Sequence, residues 1–120
     1  MPTVSARIAA AGLMLVLGAV ALAHTSAVGT TPKSGSILDK SPSTIEIRFK
    51  APVRITSVVV HQEGKPERTL TASPNASSAT FKIDNPQLEP GHSQVRWIAL
   101  SQDGHVVKGV IDLTVKPAAQ

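Results

Sequence analysis

Apolar and polar residues alternate along Thr44-Ile45-Glu46-Ile47-Arg48-Phe49, with the apolar side chains at 45, 47 and 49. A period of two puts these three on one face, so the segment predicts a half-buried strand, the clearest in the chain. Short runs at Ala79–Ile83, with Ala79, Phe81 and Ile83 on one face, and at Gln94–Leu100, with Val95, Trp97 and Ala99 on one face, repeat the pattern. It returns from Val107 to Val115, while Ser57–His61 is a β-branched run that predicts a further strand. Pro52 interrupts after the first strand and predicts a new element from about Val53, because proline is confined to strand ends, edges and bulges.

Turn signals separate these runs. Thr31-Pro32-Lys33-Ser34-Gly35-Ser36 closes a short first strand, Gln62–Pro66 precedes an Arg68–Ala72 segment that can pair back, and Asn85-Pro86 ends the Phe81 strand. Asp103-Gly104 between two apolar runs predicts a hairpin, since glycine accepts positive φ, and Gly109 inside the last run suggests a bulge or bend. No window shows helical periodicity. Short strands at close spacing predict an all-β, antiparallel domain, a small sandwich or barrel.

The first residues follow another pattern. Met1–Arg7 carries one positive charge, Ile8–Val20 is apolar apart from Gly12 and Gly18, and Ala21-Leu22-Ala23 supplies small residues at the cleavage positions. This is the pattern of a secretory signal peptide over residues 1–23, and the apolar run falls short of the ~20 residues that span a bilayer. Cleavage after Ala23 leaves residues 24–120 as a single domain of 97 residues, exported and without stable membrane insertion.

Charge and composition narrow the function. The processed chain has 11 Lys and Arg against 8 Asp and Glu, scattered singly, with Trp97, Phe49 and Phe81 as its only aromatics. Nucleic-acid binding wants a clustered basic face, so no nucleic-acid partner is expected. There is no cysteine to staple the fold, and no nucleophile elbow, zinc-protease helix motif or phosphate loop. Ser101, Asp103 and His105 lie too close together in sequence for a nucleophile-base-orienter line, so the chain is not expected to be an enzyme.

Cleavage after Ala23 makes His24 the first residue, whose free α-amine and ring Nδ1 can chelate one metal ion in a six-membered ring. Asp103 and His105, two apart at the predicted turn, can converge on one spot. Such nitrogen and oxygen donors suit Cu(II), though imidazole also takes Zn(II) and Ni(II). Both methionines, Met1 and Met14, leave with the leader, so the processed chain has no sulfur ligand for Cu(I). Read without the metal, the same residues are a hairpin turn, a surface histidine and a cleavage site. His61, ending an apolar strand, reads as structural or solvent-facing, and His92 as an exposed loop residue.

The chain resembles the CopC family of periplasmic copper-binding proteins through motifs spread over residues 24–120. These are His24, Thr31-Pro32-Lys33-Ser34-Gly35, Ile45-x-Ile47-x-Phe49 with Pro52-Val53, Leu88-x-Pro90-Gly91, Val95-x-Trp97, and Ser101-x-Asp103-Gly104-His105 followed by Gly109. The resemblance implies a Greek-key β-sandwich or barrel, immunoglobulin-like or cupredoxin-like, binding one Cu(II) through His24, Asp103 and His105. First strand and last hairpin would then meet at one end of the domain. It also implies a copper carrier or buffer in copper homeostasis or resistance, with a separate inner-membrane copper transporter as a partner. Three departures stand out. Gln62–Ser73 lacks the methionines with which some members hold Cu(I), Lys50-Ala51 follows Phe49 where an acidic residue sometimes stands, and His92-Ser93 replaces an aromatic.

Two alternatives remain open at this stage. An N-terminal histidine with a second histidine resembles the copper brace of polysaccharide monooxygenases, although this chain has no tyrosine and one tryptophan patterned as core. A metal-free β-sandwich interaction module is the other.

Overall fold

The computed structural model describes residues 27–118. The expected leader and His24 lie outside the described residues. Seven strands run in chain order: β1 (Ala27–Thr31), β2 (Ser36–Leu38), β3 (Thr44–Gln62), β4 (Arg68–Thr69), β5 (Ser78–Asp84), β6 (Gly91–Ser101) and β7 (Val106–Val115). Among the described residues no helix is long and apolar enough to cross a membrane.

The organising element is β3, 19 residues long, which serves two layers. Its first half pairs β1 on one edge (Ile47 opposite Thr30) and β5 on the other (Ile47 opposite Phe81). Its second half pairs β6 (Val58 opposite Trp97) and β4 (Val59 opposite Thr69). Pro52 therefore does not end the strand; it sits in the exposed corner Lys50–Pro52 where the partners change. Proline has no N–H to donate, and at a corner between partners none is needed. A bulge between Ile55 and Ser57 then resets which residues of β3 face inward.

The alternation read from the sequence decides the core. Ile45, Ile47, Phe49, Phe81 and Ile83 from the first layer form one cluster with Val58, Val60, Val95, Trp97, Ile111 and Leu113 from the second. All three aromatics stack edge to face: Phe49 lies 5.1 Å from Trp97 and 6.0 Å from Phe81 between ring centroids. Such pairs add roughly 0.5–1.5 kcal/mol beyond area burial, which helps a small domain with no cross-links.

Two further expectations are revised. Gly109 is no bulge, because the β6–β7 register runs unbroken from Gly91–Val115 to Leu100–Val106. It faces Trp97, and a methyl group on it would come within 2.9 Å of the indole nitrogen, so the glycine makes room for the ring. Every pairing is antiparallel except one, β2 against β7. Three residues are too few to show a period, and backbone bonds fix this edge: Gly35 N–H donates to Asp112 O (2.7 Å) and Lys116 N–H to Leu38 O (2.8 Å).

Candidate metal centre

The turn between β6 and β7 carries the Asp103 and His105 singled out above. Gly104 N–H donates to Ser101 O (3.0 Å) and Ser101 N–H to His105 O (2.8 Å), which closes a three-residue loop. Gly104 takes φ of 87°, the left-handed conformation such a loop requires at its last position. The Asp-Gly pair is thus what turns the chain, and the turn is what brings the two flanking side chains together.

The Ser101 hydroxyl donates to Asp103 Oδ1 and accepts from the His105 N–H (3.2 Å). The other carboxylate oxygen, Oδ2, lies 3.2 Å from His105 Nδ1. That engagement of Nδ1 leaves Nε2 as the ring nitrogen open to a ligand. Both side chains are largely exposed, 68% for Asp103 and 79% for His105, so an ion can reach them from solvent. The Ser101 hydroxyl holds the Asp103 carboxyl below the usual carboxylate range; desolvation opposes it, and the charge of His105 adds a smaller lowering effect. The carboxylate sits between hydroxyl and imidazole, which is the wrong order for nucleophilic catalysis: the base would have to stand between the other two. Ser101 itself was legible as a motif position; its part in tying the loop needed the loop's geometry.

Beside the turn, Lys50–Val53 and Ser101–Asp103 line an open hollow of about 320 Å³. Along β3, Val53 pairs Ser101 on one edge and Ser78 on the other. Because β5 keeps the far edge, β1 and β6 follow one another along the same edge of β3. The start of β1, where Ala27 opposes Phe49, points along that edge toward the end of β6. Among the described residues, no three His, Asp or Glu side chains gather closely enough to hold a metal ion. Asp103 and His105 are therefore two donors in need of others.

Among the described residues the other two histidines, His61 on β3 and His92 on β6, lie toward the opposite end of β6. His92 belongs to the strand rather than a loop, with Nε2 2.9 Å from Asp112 Oδ1. His61, half-exposed, has Nδ1 3.4 Å from Glu67 Oε2, within ion-pair range but not aligned as a hydrogen bond. A larger hollow of about 550 Å³, between Leu38–Ser43 and Asn85 and Gln87, contains one carboxylate, Asp39, and no imidazole.

Comparison with known proteins adds the following. A family model described as the CopC domain matches residues 27–116. A solved structure of CopC from Methylosinus trichosporium OB3b superposes with a TM-score of 0.66 at 25% identity, covering 81% of this chain and 98% of that one. The copper resistance protein PcoC from Escherichia coli superposes with a TM-score of 0.56 at 22% identity, covering 75% and 98%. A further PcoC structure, described as methionine-rich, gives 0.55 at 23% identity, covering 78% and 100%. At these last identities the likeness concerns the fold. No curated protein sequence matches the chain significantly.

Proposed function

The chain belongs to the CopC family, and on that premise we propose that it is an exported copper-binding protein that carries or buffers one Cu(II) ion in copper homeostasis or resistance. In this reading residues 1–23 are removed on export to the periplasm, and the α-amine and Nδ1 of His24 bind the ion together with Asp103 and His105. No turnover is involved.

The observation that carries it is the Asp103–His105 pair, exposed and tied together at the end of β6 toward which the start of β1 points. His24 precedes Ala27 by three residues, a reach of at most roughly 11 Å. Phe49 and Val53, the β3 partners of Ala27 and Ser101, are four residues apart, about 13 Å in an extended strand. The side chains of His24, Asp103 and His105 supply the remaining length. The chemistry agrees: imidazole, amine and carboxylate are donors for Cu(II), and the processed chain lacks the thiolates and thioethers that Cu(I) prefers.

Asp103 is also prepared for this role. Its carboxyl is held below the usual carboxylate range, chiefly because Ser101 donates to it, and near neutral pH protons compete with the metal at the nitrogen donors. Free imidazoles and α-amines ordinarily take up protons below roughly 6.5 and 8 respectively, and copper affinity should fall as pH drops through that range. The brace-type oxidative reading loses support from the same structure, since Trp97, Phe49 and Phe81 are all in the core and none is left to stack on a sugar.

The test compares a chain beginning at His24 with one carrying a single additional alanine before it. One equivalent of Cu(II) near pH 7 should give a d–d band and an EPR spectrum of nitrogen-rich tetragonal copper in the first, and a clearly altered spectrum with weaker binding in the second. Identical spectra would remove the amine from the ligand set and with it the central claim. Mass spectrometry of the exported protein checks the cleavage itself.

A further inference from the structure

The outward face of β3, β6 and β7 carries an unusual mixture. Ile98, Leu100, Val106 and Val110 are 39%, 40%, 66% and 47% exposed. The register sets a cation beside nearly every one of them: Arg54 opposes Leu100, Lys108 opposes Ile98, and Arg96 opposes Val110, while Val106 opposes Leu100 directly. Among the described residues Arg54 and Lys108 have no acidic partner; Arg96 is held by Gln94 and lies 3.4 Å from Glu67. The described carboxylates near this face are Glu67 on Arg96, Glu63 and Asp112 toward the His61 and His92 end, and Asp103 at the turn, which leaves the stretch around Leu100, Ile98, Arg54 and Lys108 without one.

We infer that this face docks on an anionic phospholipid surface, with the four aliphatic side chains in the headgroup boundary and Arg54, Arg96 and Lys108 on lipid phosphates. The alternation decides the occupant. A protein interface keeps charge out of its centre and is enriched in aromatics there, whereas here cations are interleaved with the aliphatics and no aromatic is present. A second copy related by a two-fold axis would bring the same three cations against one another. At a lipid surface the pattern is favourable, because basic side chains lay their stems along apolar neighbours while the charged ends reach phosphate. Docking there sets the β6–β7 turn, which follows Leu100 directly, beside the bilayer. The inference goes beyond the copper reading and does not need it, since the face is complete in residues 54–110.

The experiment uses the chain beginning at His24, whose hydrophobic core lies within residues 27–118, in EDTA. Co-sedimentation is measured with vesicles of 30% phosphatidylglycerol in phosphatidylcholine, and with phosphatidylcholine alone. Binding to the anionic vesicles only is expected, weakening in high salt. Arg54→Gln with Lys108→Gln should lower the partition coefficient about fivefold per charge removed, and Leu100→Ser with Val106→Ser should also release the protein. Lys33→Gln with Lys40→Gln, which removes equal charge elsewhere, should change it little. Circular dichroism melts verify that each variant is folded. Equal loss from the Lys33/Lys40 variant overturns the assignment to this face, as does wild-type binding by the Arg54/Lys108 variant. No binding to anionic vesicles overturns it outright, and a concentration-dependent dimer abolished by the Leu100/Val106 variant gives the face to a second copy instead. Because metal is absent, failure of Cu(II) binding is a separate result.

Discussion

Replacing Gly109 by alanine tests the packing of β7 against the Trp97 ring of its neighbour β6 at one atom. An ideal Cβ on Gly109 would lie 2.7 Å from Trp97 Cε2 and 2.9 Å from its Nε1, nearer still to Cζ2, well inside van der Waals contact. Trp97 is 2% exposed and its ring meets Phe49 edge-on at 5.1 Å, so it has little freedom to retreat. Two effects oppose each other. Losing glycine's excess unfolded-state freedom favours alanine by roughly 0.5–1 kcal/mol, and Gly109 has no left-handed φ to object to a side chain. Overpacking a well-filled core costs typically 1–3 kcal/mol. The clash is with a ring held from behind, so the steric cost wins, and a net loss of about 1–2 kcal/mol is expected. In a domain of this size that is a fall in Tm of roughly 4–8 °C per kcal/mol. Urea unfolding followed by both tryptophan emission and far-UV circular dichroism measures it, and with one tryptophan in the chain the emission also reports the contact itself. A midpoint equal to or above wild type with unchanged emission would refute the account of Gly109 as space for the indole.

Gly104→Ala should be destabilising for a different reason: nothing lies within 4 Å of its Cβ position, but its φ of 87° is left-handed, so the cost is backbone strain of about 1–2 kcal/mol, and Gly104→Asn should recover part of it in the same urea assay. Ser101→Ala removes the strongest cause of the lowered Asp103 pKa, so an NMR titration should find that carboxyl shifted up toward its ordinary value. The sign for stability follows: a depressed folded-state pKa contributes stability above the unfolded-state value and loses it as pH falls through the folded one, and the variant should lose that contribution. An unchanged titration would place the shift elsewhere. Saturating Cu(II) at a hundredfold its Kd should raise the unfolding free energy of the chain beginning at His24 by about 2.7 kcal/mol, reversed by EDTA; an unmoved melt would count against native-state binding.

The comparison between sequence and structure turns on range. Alternation at Ile45, Ile47 and Phe49, at Phe81 and Ile83, and at Val95, Trp97 and Ala99 named core residues correctly because a strand's inward face is set by its own period of two. Asp103-Gly104 named its turn because positive φ is a local demand that glycine meets. Pro52 and Gly109 were each misjudged for want of a neighbour: a proline between two sets of partners leaves a strand continuous, and a glycine opposite an indole is a packing device. The parallel pairing of β2 had no signal in three residues.

For the candidate site the division is the same. Residue chemistry alone determined which donors the chain has, the confinement of both methionines, Met1 and Met14, to the expected leader, and the pairing of Asp103 with His105 across a tight loop, since all of these are properties of composition or of five consecutive residues. Only the tertiary structure decided that β1 and β6 share an edge of β3, and that cations and aliphatics interleave on the face beside the turn. Both depend on the register between strands distant in sequence, which backbone hydrogen bonding fixes and no local pattern encodes.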